Sequence, residues 1–75
     1  ISGLRINNKR LVVECKNYGG KILTGPWLNE AETERVNDGA IAGLVIAKRK
    51  GTTNPAEQIV LMTLKDFAAL VNSGN

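Results

Sequence analysis

Glu14, Cys15 and Lys16 close an apolar run, Leu11-Val12-Val13, and are followed by Asn17 and a glycine-containing segment. Side chains alternate along an extended strand. A strand over 10–16 therefore points Leu11, Val13 and Cys15 one way and Val12, Glu14 and Lys16 the other. A carboxylate and an ammonium then stand side by side at a strand end. A carboxylate on a rigid strand suits Mg²⁺, with Mn²⁺ as its substitute, because such ions take oxygen donors and keep several waters. The backbone carbonyl of Cys15 is a candidate second oxygen. Lys16 can orient a water or offset charge developing on a phosphate. By itself the Glu-x-Lys triplet is short, and a same-face ion pair is an ordinary feature of a strand.

The rest of the composition narrows the chemistry. The chain has 75 residues, one cysteine and no histidine. It cannot form an internal disulfide, an ordinary zinc site or a Ser-His-Asp triad. Catalysis has to come from carboxylates, lysines, hydroxyls or a hard metal ion. Hydrophobic residues make up 43% and the formal charge is +3, which suits one small globular domain over residues 1–75 rather than a disordered tail. No apolar run approaches the ~20 residues of a membrane span, and the first residues lack a signal-peptide pattern. No membrane partner is expected. Ile1 is not Met and stands inside an apparent strand, so further residues are expected before it.

The elements that must position the triplet read as strand, strand, helix, strand, strand, helix. Residues 1–6 form a modest strand, and Asn7-Asn8-Lys9 a turn into the strong strand 10–16. Residues 17–25 hold three glycines and form a loop. Pro26 fits the first turn of a helix over about 27–37, with Trp27, Leu28, Ala31, Arg35 and Val36 on one broad face. Glu30 and Glu34 line another face, and Asp38-Gly39 stops the helix. Residues 42–47 are nearly all apolar, which predicts a strand covered on both faces. A polar connection over 52–57 leads to a strand over 58–64. Thr63-Leu64-Lys65-Asp66 resembles a helix start, with Phe67, Leu70 and Val71 as the apolar stripe of a final helix. A helix between the second and third strands favours a parallel right-handed crossover, and the short links favour hairpins. The expected fold is α/β, a mixed sheet with helix packed on it.

Several spaced features agree with one family. Leu11-Val12-Val13-Glu14-Cys15-Lys16-Asn17 preceded by Ile1-Ser2-Gly3, Trp27-Leu28 opening a helix, Gly39 ending it, and Gly43-Leu44-Val45-Ile46 leading into Lys48-Arg49 resemble the PD-(D/E)XK nuclease superfamily. The likeness is greatest to small Holliday junction resolvase-like and phage-encoded members, and covers residues 1–50 well and the rest loosely. It implies a restriction-endonuclease-like core and a Mg²⁺-dependent DNA endonuclease, extending to structure-selective cleavage of junctions. Glu14 matches the metal-ligating acid and Lys16 the catalytic lysine. Cys15 matches the variable position whose carbonyl faces the metal. The family's first acidic residue has no counterpart in Ile1-Ser2-Gly3 and would fall immediately before Ile1. The resemblance further implies DNA as partner, a homodimer that cuts two strands symmetrically, and the cytoplasm of a bacterium or phage-infected host.

Beside such a centre, Lys48, Arg49 and Lys50, and Lys21 in the loop after the triplet, are candidate phosphate contacts. The plain alternative for each is a solvated surface cation. Glu30 is a candidate third carboxylate, as against a solvated helix face. Trp27 reads as core rather than a base-stacking platform, and Cys15 as a small buried residue rather than a reactive thiol. Gln58 opens a strand and faces either the substrate or nothing in particular. Two other functions stay open: an inactive nucleic-acid-binding module on a nuclease-like fold, and a structural or interaction subunit.

Overall fold

Strand pairing follows directly from the apolar runs. The structure, a computed structural model, describes residues 5–6 and 9–73. It comprises β1 (Arg5–Ile6), β2 (Lys9–Lys16), α1 (Thr24–Asp38), β3 (Ala42–Ala47), a 3-10 turn at Pro55–Glu57, β4 (Ile59–Leu61) and α2 (Leu64–Ser73). The sheet is mixed, in the order β1-β2-β3-β4, with the two-residue β1 at its edge. β2 and β3 run parallel, Leu11 opposite Ala42 and Lys16 opposite Ala47. β1–β2 and β3–β4 are antiparallel, with Val45 opposite Leu61 in the second pair. The parallel crossover and both antiparallel pairings thus match the expectation. Of the expected first strand, residues 1–4 lie outside the described residues, as do Asn7 and Asn8.

The crossover helix packs on the sheet face that carries Glu14 and Lys16. Trp27, 2% exposed, and Ala31 meet Val45 and Ala47, flanked by Ile22, Leu23, Ile59 and Leu61. Burying an indole removes ~150–250 Å² from water, worth about 5 kcal/mol, which makes Trp27 the anchor of α1. The helix ends in paired bonds from Ala40 N–H to the Arg35 carbonyl and from Gly39 N–H to Val36, with Gly39 left-handed at φ 65°. That 6→1 and 5→2 pattern needs a residue free to adopt positive φ. Val36, expected on the packed face, is exposed, because α1 touches the sheet only through its first two turns and the Arg35 side.

Gly43 sets the helix–sheet spacing. A Cβ built there would lie 2.5 Å from the Ala31 carbonyl oxygen. β4 is shorter than the expected 58–64. Gln58 serves the preceding loop and Thr63 caps α2, its hydroxyl accepting from Asp66 N–H at 3.2 Å. With β4 ended, Gly43 N–H finds its acceptor in the Asp66 carboxylate at 2.9 Å, and Asp66 is 4% exposed. α2 is thus fastened by a charge-assisted hydrogen bond. The stripe expected to bury it is largely outside: Phe67 and Val71 are about half exposed and Leu70 half-buried. Lys65 adds an ion pair to Glu32 of α1. Among the described residues no helix is long and apolar enough to cross a membrane.

Gly43→Ala is expected to lower stability by about 1–3 kcal/mol through overpacking against a backbone atom that cannot rotate away. A urea midpoint equal to the parent's would show that α1 does not need this close approach.

Candidate active site and basic surface

Glu14 and Lys16 stand on one face of β2, opposite Val45 and Ala47 of β3, and α1 lies over the same face. Glu14 is half-buried and lines a groove of about 460 Å³ with Asn29, Glu30, Thr33 and Glu34 of α1. The Lys16 ammonium reaches the Glu30 carboxylate at 2.6 Å. Its side chain is 16% exposed and that of Glu30 53%. The hydrogen bond to Glu30 holds Lys16 above the usual lysine range, against partial desolvation and with smaller help from Glu30, Tyr18 and Glu14 charge. Lys16 is therefore a fixed cation at neutral pH, able to donate and to offset negative charge but not to accept a proton.

The ladder decides where the Cys15 carbonyl points. Arg10 and Lys16 carbonyls accept from Ile41 and Lys48 N–H, so the even-numbered residues of β2 spend their backbone groups on β3. By that alternation the Cys15 carbonyl belongs to the opposite edge of β2, the one that pairs with β1. The Cys15 side chain is exposed rather than buried as expected. Its face of the sheet is uncovered at this end, since Ile46 is half-buried and Val60 is 56% exposed.

Together the Glu14 carboxylate and Cys15 carbonyl offer two hard oxygens, a donor set of the kind Mg²⁺ accepts while retaining waters. Among the described residues no three His, Cys, Asp or Glu side chains form a metal-holding group. Glu30 is committed to Lys16 instead of standing free as a third carboxylate ligand.

The parallel β2–β3 pair brings two loops to one end of the sheet, residues 17–23 after β2 and 48–58 after β3. Such carboxyl ends of parallel strands are where open α/β sheets gather ligands. Lys48, Arg49 and Lys50 are exposed here, and Lys21 lies exposed in the neighbouring loop. Among the described residues none of the four is in an ion pair. Lys48 through Lys50 border one hollow with Asn17 and Gly20, whereas Lys21 lies outside it. The acidic residues Glu30, Glu32, Glu34 and Asp38 are gathered on α1, where Glu30 pairs with Lys16, Glu32 with Arg35 and Lys65, and Asp38 with Arg10. Trp27 is core, and Tyr18 meets its ring edge-on, centroids 5.2 Å apart, tying the 17–23 loop to α1.

Gln58 has a role that its residue type alone did not reveal. Its Oε1 accepts from Arg49 N–H at 2.7 Å, and its Nε2 donates to the Asn54 carbonyl at 2.8 Å. The only signal in the sequence was an amide side chain next to Asn54-Pro55. Comparison with known proteins gave no match to a family model, a curated protein or a solved structure.

Glu30→Gln is expected to change the alkaline limb of the stability profile. A raised folded-state value means that the pair stabilises fully below the ordinary lysine value of ~10.4 and loses that contribution as pH rises through the raised value. Urea midpoints of parent and variant should differ at pH 8 and converge in strong alkali. A constant difference across that range would mean that Lys16 and Glu30 are not coupled in solution.

Proposed function

We propose that this chain is the core of a metal-dependent DNA endonuclease with a restriction-endonuclease-like fold, hydrolysing phosphodiester bonds. The observation that carries the reading is the placement of Glu14 and Lys16 side by side at the end of β2. That strand is antiparallel to β1 and joined to β3 by a parallel helical crossover. The arrangement accords with the likeness seen in the sequence. Glu14 and the Cys15 carbonyl would hold Mg²⁺ or Mn²⁺, together with an acidic residue placed immediately before Ile1. The bound ion supplies Lewis-acid polarisation of the phosphoryl oxygen. Lys16 offsets charge building on the reacting phosphate and orients the attacking water. Lys21, Lys48, Arg49 and Lys50 bind flanking phosphates at the loop end of the sheet. Symmetric cleavage of two strands requires a homodimer, acting in the cytoplasm of a bacterium or phage-infected cell.

A second reading, an inactive nucleic-acid-binding module, is favoured by one contact. Lys16 is already engaged by Glu30. The two readings part on cleavage, since both require DNA binding.

The test is the chain carrying an Asp directly before Ile1, assayed with Mg²⁺ on branched and linear DNA. Glu14→Ala should abolish metal-dependent cutting, because a direct oxygen ligand is lost. Lys16→Ala should lower kcat by roughly 10²–10³-fold with a smaller effect on binding. Cutting by Glu14→Ala at the parent rate would refute the assignment of this motif, and binding without cutting would establish the second reading.

Neutralising Lys48, Arg49 and Lys50 together should weaken DNA binding. The dependence of log K on log salt should fall by up to about three units if each residue neutralises one phosphate. An unchanged slope would make the triplet an ordinary solvated strand end.

A further inference from the structure

We propose that the hollow between the two loops at the carboxyl ends of β2 and β3 is a discrete subsite for one backbone phosphate of a nucleic-acid strand, shaped by Gly20 and held open by Gln58. The inference deepens the nucleic-acid reading and rests on it for the identity of the strand. It differs from a diffuse basic surface because the backbone bordering the hollow is braced by hydrogen bonds.

The hollow measures about 410 Å³ and is bordered by Asn17, Gly19, Gly20, Lys48, Arg49 and Lys50, and among the described residues no carboxylate lines it. Gly19 and Gly20 have φ of 64° and 90°. A Cβ at Gly20 would lie 2.9 Å from the Lys50 Cβ, so the glycine is what lets the two loops approach. Across the hollow, Gly51 turns the chain at φ 91°. Backbone without side chains, at positive φ and next to cations, is the kind of surface on which phosphates settle.

The basic loop is braced from behind. Gln58 bonds the backbone of Arg49 on one side and of Thr52 and Asn54 on the other. Asn54 Oδ1 accepts from Ala56 N–H at 3.0 Å, closing a local turn. The Glu57 carboxylate, the one acid of this loop, is held by the Thr52 hydroxyl at 2.7 Å and by the Asn54 amide. Among the described residues it forms no ion pair with the three cations, and the Arg49 guanidinium donates to the Glu57 backbone carbonyl at 3.3 Å instead. The bracing removes ordering cost that a loose loop would meet on binding.

The hollow continues into a cleft on the Cys15 face of the sheet. Asn17 and Lys48 border this hollow and also a second cleft of about 360 Å³ that includes Cys15 and Lys16. Glu14 and the Lys16 ammonium lie on the other face of the sheet, beneath α1, so the hollow adjoins the end of β2 rather than the groove that holds Glu14.

The test separates shape from charge. The ¹⁵N-labelled 75-residue chain is titrated with inorganic phosphate against chloride at equal ionic strength, without divalent ions, and then with a short single-stranded oligonucleotide. The expected result is saturable shifts concentrated at the amides of residues 17–20 and 48–52, and the same residues responding to the oligonucleotide. Two variants leave the charge unchanged. Gln58→Leu should weaken both ligands about five- to tenfold by loosening the loop, and Gly20→Ala should do so by forcing the loops apart. Lys50→Gln reads the charge contribution and does not depend on either variant folding, so it should also weaken both ligands. Shifts that never saturate, or that spread equally to Lys9 and Lys65, would overturn the proposal. So would charge-neutral variants that fold and bind as the parent does, or an oligonucleotide that leaves these amides unmoved. No step of this test requires cleavage, so failure of the nuclease reading in the cutting assay is a separate result.

Discussion

The distance between α1 and β3 at Gly43 governs the rest of the molecule. A hydrogen in place of a side chain lets the Ala31 carbonyl come down almost onto the sheet. Trp27 can then fill the space over Val45 and Ala47, and the next turn of the same helix places Glu30 over Lys16. A helix held farther out would leave the indole half in water and the Lys16 ammonium unpartnered. The core and the candidate site are therefore set by one approach.

Parallel pairing of β2 and β3 has a second consequence. It sends both strands toward the same end, so the loops that follow them lie together although about 30 residues separate them in the chain. The Gly20–Lys50 approach is the point where they meet. The carboxylates of the crossover helix are largely taken up in ion pairs, whereas Lys21, Lys48, Arg49 and Lys50 at the loop end are in none among the described residues.

Much of this was legible because the apolar run decides so much. Residues 42–47 read as a doubly covered strand, and the structure has β3 at Ala42–Ala47 with all but Ile46 buried. The helix stop at Gly39, the parallel crossover and the shared face of Glu14 and Lys16 follow from period and loop length alone. Three features did not follow. The depth of burial of Cys15 depends on which part of a sheet face is covered, and alternation along one strand carries no such information. α2 reads as an apolar stripe, but it is fastened through Asp66, a polar contact that hydropathy periodicity cannot register. Gln58 stabilises a loop through three backbone partners whose nearness is a product of the fold. In the candidate site, residue types named Glu14 and Lys16, whereas the engagement of Lys16 by Glu30 needed the height of α1 above the sheet.

The Asp66–Gly43 hydrogen bond also bears on solubility. Sheets with bare edges recruit strands from other molecules, and proteins block such edges with short strands and inward-pointing charges. β4 covers only three residues of β3, and the N–H beyond it would otherwise offer a docking point for a foreign strand. A buried carboxylate already occupies that donor, and its charge would repel an arriving carbonyl. The final helix thus occupies the β3 donor that the short fourth strand leaves without a partner in the sheet.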